Sequence, residues 1–509
     1  VDRQIRRLGI AFAVLFSLLF AQIAHIQVFA ADRIASNDAN AARLIRAEYE
    51  TQRGAILAAD GVTVLAESVE APPGSVYRFQ RRYPKGVLYG HITGYYSRSY
   101  GLSGLEESMH AYLAGSAPEL AASNLTDLIL GTPKKGGTVV TTIVPALQEA
   151  ARSALAGRRG AVVALDPRTG NLLAVYSNPG YDPTVLSTGT REEAQQAWTG
   201  LNADPEKPLL SKAFQELYLP GSTFKLITAS AALENGYGPE ETWPNPRVLD
   251  LPYTKDDLMN FGGSLCAGGV KKVTMAKAFE DSCNVTFGEI GLELGAGRLA
   301  AQAHAYGLCP TLPPERTTCD EQAIGLPLPF VNGRFPEPSY FDQRIPALAY
   351  SATGLDNDLM NPLHLALISA AIANDGEMMA PRIVDEVRDP QGRVVKEFDT
   401  QVWGHPISLA TATKMRELMV NVVAQGTGYA AQIEGLTVAG KTGTATNGQD
   451  RPPNAWFTAF APAGPGDAPS IAVAVIVLDG GDLGNEATGG REAAPIARAV
   501  IQAYCELGC

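Results

Sequence analysis

Positive charge is in deficit in this sequence. Its 41 Lys and Arg residues face 53 Asp and Glu, a formal net charge of −12 with a pI near 5.1. Nucleic acid is thereby excluded as the main partner, because nothing supplies the basic field that a phosphate backbone requires. Metal-ligand spacing is also missing. The six cysteines, at 266, 283, 309, 319, 505 and 509, form no Cys-x-x-Cys, and no histidine pair sits at zinc spacing. No metal site and no cofactor are therefore expected. Internal repeats and low-complexity tracts are absent as well, which removes solenoids and disordered tails. What remains is a 509-residue chain with 46% hydrophobic and 18% charged residues, a globular composition with room for two to four domains.

One long hydrophobic run is present. Leu8 to Val28 is largely apolar over about 20 residues, enough to span a bilayer as a helix. Arg3, Arg6 and Arg7 precede it, which places the N-terminus in the cytoplasm and the rest outside. Two other readings compete with an anchor. One is a buried core helix; the other is a cleavable signal, with Val28-Phe29-Ala30 before Ala31 as its cleavage site. Anchor and signal alike export the remaining residues, and export permits disulfides.

Beyond the run, the Ala-rich stretch from Asn37 to Tyr49 reads as a helical stalk. Arg53 to Glu67 alternates around Asp60-Gly61, a hairpin signal, and Gly104-Leu105-Glu106 opens a helix. Residues 53–155 form a small α+β module without chemistry of its own. From Gly160 a strand (Ala161–Leu165), a turn at Asp166–Gly170 and a second strand (Asn171–Tyr176) follow. Helical patterns dominate from Ser222 to Asn374. Strands return near Thr437, at Ala455–Phe460 and at Ser470–Leu478, and a helix closes the chain from Glu492 to Cys505. A sheet built from both ends with helices inserted between them is an α+β domain of about 350 residues.

Three short segments can carry chemistry. Pro220-Gly221-Ser222-Thr223-Phe224-Lys225 places Ser222 in the first turn of a helix, with Lys225 on the same face three residues on. A serine hydroxyl needs a base, and lysine serves when burial, a second cation or a helix N-terminus keeps it neutral. Asp281-Ser282-Cys283-Asn284 offers a hydroxyl and an amide two residues apart. Gly440-Lys441-Thr442-Gly443-Thr444 follows a strand-like Leu436–Ala439. Its lysine can bind a carboxylate, and Gly443 lets a substrate backbone lie against the strand edge. The last segment also satisfies the Gly-x-x-x-x-Gly-Lys-Thr phosphate-loop pattern from Gly435 to Thr442. That pattern requires a following helix, which Gly443, Gly448, Pro452 and Pro453 forbid. Gly295-Ala296-Gly297 imitates a dinucleotide fingerprint but follows a helical pattern, so it reads as a turn between helices.

Ser-x-x-Lys, Ser-x-Asn and Lys-Thr-Gly in this order resemble the penicillin-recognising serine transferases and hydrolases. Arg53-Gly54, Gly104-Leu105-Glu106, Gly160–Val163, Tyr218–Lys225, Ala455-Trp456-Phe457 and Gly489-Gly490 narrow the resemblance to the class B penicillin-binding proteins, most nearly the actinobacterial penicillin-binding protein A type. The resemblance implies a cytoplasmic tail (1–7), a transmembrane anchor (8–30), an N-terminal, dimerisation-like pedestal (31–155) and a transpeptidase domain (156–509). That last domain would have a β-lactamase-like fold, a central antiparallel sheet with helices on both sides. It implies a peptidoglycan D,D-transpeptidase in the cell membrane, acting on D-Ala-D-Ala stem peptides, acylated by β-lactams and working in an elongation or division complex with a glycosyltransferase. Ser222 would be the nucleophile, Lys225 its base and Ser282 the proton relay. Asn284 would bind the substrate amide, and Lys441, Thr442 and Thr444 its carboxylate. The backbone N–H groups of Ser222 and Thr444 would form the oxyanion hole. Asn454, where many relatives have His, and Ser351-Ala352-Thr353-Gly354, in place of a Gly-Gln-Gly, depart from the family pattern in the cleft wall. A D,D-carboxypeptidase or β-lactamase-type hydrolase, or a non-enzymatic sensor or scaffold, are the alternatives. Cys283 is either a buried small hydrophobe or the partner of Cys266 in a disulfide. Local pairing also suggests Cys309–Cys319 and Cys505–Cys509, among fifteen arrangements.

Overall fold

The computed structural model describes residues 2–25, 50–75, 77–120, 134–188, 190–254, 257–312, 316–317, 324–446 and 451–508. The stalk expected over Asn37–Tyr49, and Cys319 and Cys509, lie outside these residues.

Helix Asp2–Ala24 starts before the apolar run and takes in the three arginines. At 1.5 Å per residue it is about 35 Å long, enough to cross a bilayer core of about 30 Å. Its side chains, among them Leu8, Phe12, Phe16 and Phe20, are exposed, so among the described residues it packs on no core and the core-helix reading fails. It fits a single-pass membrane anchor.

The remainder is built on two sheets. The catalytic-side sheet is antiparallel, in the order Ala439–Ala445, Asn454–Ala461, Ile471–Val477, Gly160–Leu165, Leu172–Asn178. Both ends of the chain therefore supply it, as the strand pattern implied. Strand Ile471–Val477 shows how the faces divide. Ala472, Ala474 and Ile476 join the core that contains helix Pro362–Ala373, while Ile471, Val473, Val475 and Val477 join a second core. That second core contains helices Pro145–Leu155 and Ala494–Glu506. A side-chain period of two with both faces covered leaves no polar position in the strand. Helix Pro362–Ala373 is apolar apart from His364 and Ser369, and all of its residues are buried. Asn361 caps it by accepting from His364 N, with Pro362 at the first helical position.

The second sheet belongs to the pedestal. The expected hairpin forms, with Ile56–Leu57 pairing antiparallel to Val64–Glu70 around a turn in which Asp60 accepts from the N–H groups of Val62 and Thr63. The full order is Val394–Glu397, Val384–Arg388, Thr138–Thr141, Ile56–Leu57, Val64–Glu70, Phe79–Arg82. Two of these strands come from beyond residue 380. Helix Pro145–Leu155, placed in the pedestal by the reading of residues 31–155, packs instead against the closing helix and strand Leu172–Asn178. The two layers are thus interlaced rather than divided at one point in the chain.

Arg53-Gly54 and Gly104-Leu105-Glu106 meet inside the pedestal. Arg53 Nε and Arg81 Nε each donate to Glu106 at 2.6 Å, and Arg81 Nη1 donates to Gly54 O at 2.7 Å. Tyr83 Oη adds a third donor to the carboxylate at 3.2 Å. Burial pushes the Glu106 carboxyl up, but the guanidiniums of Arg81 and Arg53 outweigh it and hold the group below the usual carboxylate range. These motif residues therefore hold the pedestal together. Glu106→Gln leaves two buried guanidiniums without a counter-charge, so we expect a loss of about 3–5 kcal/mol in unfolding free energy. Denaturant titration of the full chain in detergent, followed by circular dichroism, checks this; a loss below about 1 kcal/mol, the scale of an exposed ion pair, contradicts it.

Candidate active site

Ser222 sits in a 3-10 turn, Gly221–Phe224, that runs directly into helix Lys225–Glu234. The turn is wedged between two backbones. Gly221 has φ +53°, and a Cβ there would stand 2.4 Å from Thr444 O. A Cβ at Gly443 would stand 2.8 Å from Pro220 O. Only glycine permits this approach of turn and strand. From the other sides, Gly221 N donates to Gly354 O at 3.0 Å, and the buried Trp456 donates its Nε1–H to Leu219 O at 2.9 Å. The Ser351–Gly354 segment thus forms a wall of the cleft. Asn454 is buried, and its Oδ1 accepts from Asp479 N.

The three segments converge as the sequence implied. Lys225 Nζ lies 3.0 Å from Ser222 Oγ, 2.7 Å from Ser282 O and 2.7 Å from Asn284 Oδ1. Two of these partners are carbonyl oxygens, which can only accept. They take two N–H bonds of the amine, and its third direction faces the serine hydroxyl. In a neutral amine that direction is a lone pair, so Ser222 Oγ–H donates to it. Lys441 Nζ lies 2.9 Å from Ser282 Oγ and 3.0 Å from Thr442 O. Ser282 Oγ is 3.4 Å from Lys225 Nζ, so this hydroxyl bridges the two amines.

Both lysines are fully buried. Burial is the larger cause that drives Lys225 well below the ordinary lysine range, and the charge of Lys441 adds to it. Burial alone lowers Lys441 to about 7. Burial, a second cation and a helix terminus were each expected to disfavour the charge on Lys225; of these, burial is the largest and Lys441 second. Each Nζ also lies over an aromatic face, Lys225 at 5.5 Å from Phe287 and Lys441 at 5.4 Å from Phe279.

The second motif is held in an unusual conformation. Ser282 has φ +60°, which costs a non-glycine residue about 1–2 kcal/mol. Cys283 N donates to Ala278 O at 2.8 Å, and Asn260 Oδ1 accepts from the N–H groups of Asn284 and Val285, capping helix Asn284–Ala305. Cys283 is bonded to Cys266, so the disulfide reading holds over the small-hydrophobe reading. The bond ties the motif to the segment Phe261–Gly268, which lines one side of the cleft. Cys309 and Cys505 are also disulfide-bonded; their expected partners are outside the described residues.

Lys441 was expected among the catalytic residues and, with Thr442 and Thr444, at the substrate carboxylate; in the fold its amine is hydrogen-bonded to Ser282 Oγ and Thr442 O, behind the surface that lines the cleft. Alternation along strand Ala439–Ala445 explains this. Lys441 and Gly443 face the Ser222 turn. Thr442 and Thr444 face the turn Gly489–Ala493 that leads into the closing helix, and Gly489 N donates to Thr444 Oγ1 at 3.4 Å. Thr442, Gly443 and Thr444 do line the cleft, an open space of about 740 Å³ that also takes in Ser222, Ser282 and Asn284. Asn260, Leu355 and Thr427 were missed: each is a lone residue in an irregular segment, and no local pattern marks it. Strand Ala439–Ala445 runs straight through Lys441, so the phosphate-loop reading fails. Gly295 breaks its helix with φ +76° and ψ 160°, the turn that was expected there.

A serine hydroxyl 3.0 Å from a buried amine whose hold on its proton is weakened has the makings of an acyl-transfer site, and on a sheet of this topology that places the molecule among the penicillin-recognising serine enzymes. Residues 160–502 match the penicillin binding protein transpeptidase domain, and residues 53–139 the penicillin binding protein A dimerisation domain. The chain belongs to the penicillin-binding protein transpeptidase family. It is 39% identical over 516 residues to the peptidoglycan D,D-transpeptidase PbpA of Mycolicibacterium smegmatis, covering 100% of both chains. It is 38% identical to that of Mycobacterium tuberculosis, covering 99% of both. Its fold is similar to penicillin-binding protein A from M. tuberculosis in a ceftriaxone acyl-enzyme complex, with a TM-score of 0.82 over 90% of this chain and 99% of the other at 38% identity. The penicillin G acyl-enzyme complex of the same protein gives 0.80 over 89% and 100% at 37% identity.

Two outcomes follow. Neutral Lys225 is the active form, so acylation by penicillin rises with pH through the Lys225 pKa and levels off above it. In Lys441→Met the repelling charge is gone while the burial persists. The rising limb then moves to higher pH but stays below the ordinary lysine range. Stopped-flow acylation across pH checks this, and an unmoved limb contradicts it. Replacing Cys266 and Cys283 together by Ala opens a 17-residue loop, which lowers unfolding free energy by about 3 kcal/mol. Thermal unfolding in detergent would show a drop in Tm, and an unchanged Tm contradicts the clamp.

Proposed function

We propose that this protein is a serine D,D-transpeptidase that cross-links peptidoglycan stem peptides and is acylated by β-lactams at the same serine. The observation that carries the reading is the position of Lys225 Nζ, 3.0 Å from Ser222 Oγ with its two other directions held by carbonyl oxygens.

In this reading Ser222 Oγ attacks the carbonyl of the penultimate D-Ala while Lys225 takes the hydroxyl proton. The C–N bond breaks, and the proton passes by way of Ser282 to the departing D-Ala amine. The resulting ester is attacked by an amine of a second stem. That amine gives its proton to Lys225, and Ser222 recovers a proton as its ester bond breaks. Lys441 acts on Ser282: with its affinity for a proton brought near neutrality, it can steady or share the relayed charge. Asn284 holds the substrate amide, and the backbone N–H groups of Ser222 and Thr444 meet the oxyanion. Arg3, Arg6 and Arg7 ahead of the apolar helix orient the anchor with its N-terminus in the cytoplasm, so the cleft faces the wall. In this reading the anchor is 8–30, the pedestal 31–155 and the catalytic domain 156–509, with helix Pro145–Leu155 lent to the catalytic side and Val384–Glu397 lent back to the pedestal sheet. A glycosyltransferase that extends the glycan strands is the expected companion.

Fluorescent penicillin should label the full chain, and Ser222→Ala should abolish the label. Given a D-Ala-D-Ala donor and an added amine acceptor, the parent should form the amide product in preference to the free acid. Labelling that survives Ser222→Ala, or release of the free acid only, overturns the reading.

A further inference from the structure

Asp358 is fully buried and lies outside the three motifs. Among the described residues neither of its carboxyl oxygens has a hydrogen-bond partner. Its segment holds the Ser222 turn from two directions. Two residues on, Met360 N donates to Tyr218 O and Tyr218 N to Met360 O, each at 2.9 Å, which fixes the backbone that leads into the turn. On the other side is Ser351, the last residue of helix Ile345–Ser351. Ser351 O accepts from Gly354 N at 2.9 Å, and Gly354 O accepts from Gly221 N at 3.0 Å, one residue before the nucleophile. Thr228 Oγ1, from helix Lys225–Glu234, donates to Ala352 O at 2.8 Å. Leu355, between this wall and Asp358, lines the cleft.

The segments around Asp358 carry Glu216 and Tyr218, Arg334, and Tyr340 with Arg344, and none of them bonds to its carboxyl. Tyr218 Oη donates to Glu216 instead. The one charge that acts on Asp358 is that of Asp356, which has the same sign. Burial, with that charge second, pushes the Asp358 carboxyl well above the usual carboxylate range; the Ser351 hydroxyl and the Asp356 N–H pull only partly the other way. Ser351 Oγ is buried and without a partner as well. A buried polar group left unpaired costs about 1–3 kcal/mol, so two of them side by side relieve each other by pairing. A carboxylic acid can donate to the Ser351 oxygen, whereas a carboxylate can only accept.

We infer that Asp358 is a positioning residue for acyl transfer at Ser222: as an uncharged acid it donates to Ser351 Oγ, and so braces the wall that sets Gly221 and the backbone N–H of Ser222. The inference deepens the transpeptidase reading and rests on it. Asp358→Asn keeps an uncharged donor in the same volume. Asp358→Ala removes the donor, and Ser351→Ala removes its partner.

Stopped-flow acylation of the full chain in detergent, over a range of penicillin G concentrations, separates the limiting rate from the half-saturating concentration. Asp358→Ala and Ser351→Ala should each lower the limiting rate about fivefold, the scale of one neutral hydrogen bond, and leave the half-saturating concentration unchanged. The double variant should lose no more than either single one, as the two ends of one interaction do. Asp358→Asn should stay within about twofold of the parent at pH 7. Ser351→Ala removes a single oxygen and keeps the test decisive if Asp358→Ala does not fold. A lowered Tm with an unchanged limiting rate would make the pair structural only. Losses that multiply in the double variant would make the two residues independent, and an Asp358→Asn as slow as Asp358→Ala would mean that the charge is needed. Each of these overturns the inference. None touches the broader reading, which fails only if the parent itself is not labelled at Ser222.

Discussion

The burial of two lysines against one another, with no carboxylate to neutralise them, is the constraint on which the site depends. Among the described residues neither Lys225 nor Lys441 forms an ion pair, and both are fully buried. An ammonium group taken out of water without a counter-charge gives up its proton or is not tolerated. The fold makes the first outcome possible by surrounding each amine with carbonyl and hydroxyl oxygens and an aromatic face. It then spends rigidity to keep that arrangement: glycines where the Ser222 turn meets the strand, Trp456 behind it, and a disulfide beside a serine held at positive φ.

The pedestal shows the contrasting solution. There Arg53 and Arg81 are buried too, but Glu106 stands between them as their counter-charge, its carboxyl held below the usual range. A buried cation with a carboxylate partner holds a fold together, whereas a buried amine without one becomes a base. The same chain uses both, and the interlaced sheet strands from Val384 to Glu397 join the two layers that carry them.

The elements legible in the sequence were those with a local signature. The Asp60-Gly61 hairpin, the strands near 160–178 and 454–477, and the helix that starts at Ser222 follow from alternation, turn residues and capping. The strand expected from Leu436 begins instead at Ala439, because Leu436 N bonds back to Ile433 O in a turn. The region between Ser222 and Asn374 read as helical, yet it contains strands of two to four residues, such as Thr242–Pro244 and Lys272–Thr274, too short to show a period. Pairing of Thr138–Thr141 with Val384–Arg388 spans some 240 residues and leaves no local trace. At the site, five residues in three motifs were visible because each motif is compact. Thr427 and Asn260 were not, because only tertiary structure brings them to the cleft. Lys441 was visible too, but only tertiary structure shows that the side of the strand it faces meets Ser282.

The ionisation of Lys225 in the resting enzyme tests this account most directly. Lysines labelled with 13C at Cε report their own protonation by NMR, and Lys225→Arg and Lys441→Arg assign the two signals. The account predicts that both titrate well below the other lysines, Lys441 near pH 7. A Lys225 signal that titrates with the exposed lysines would contradict it.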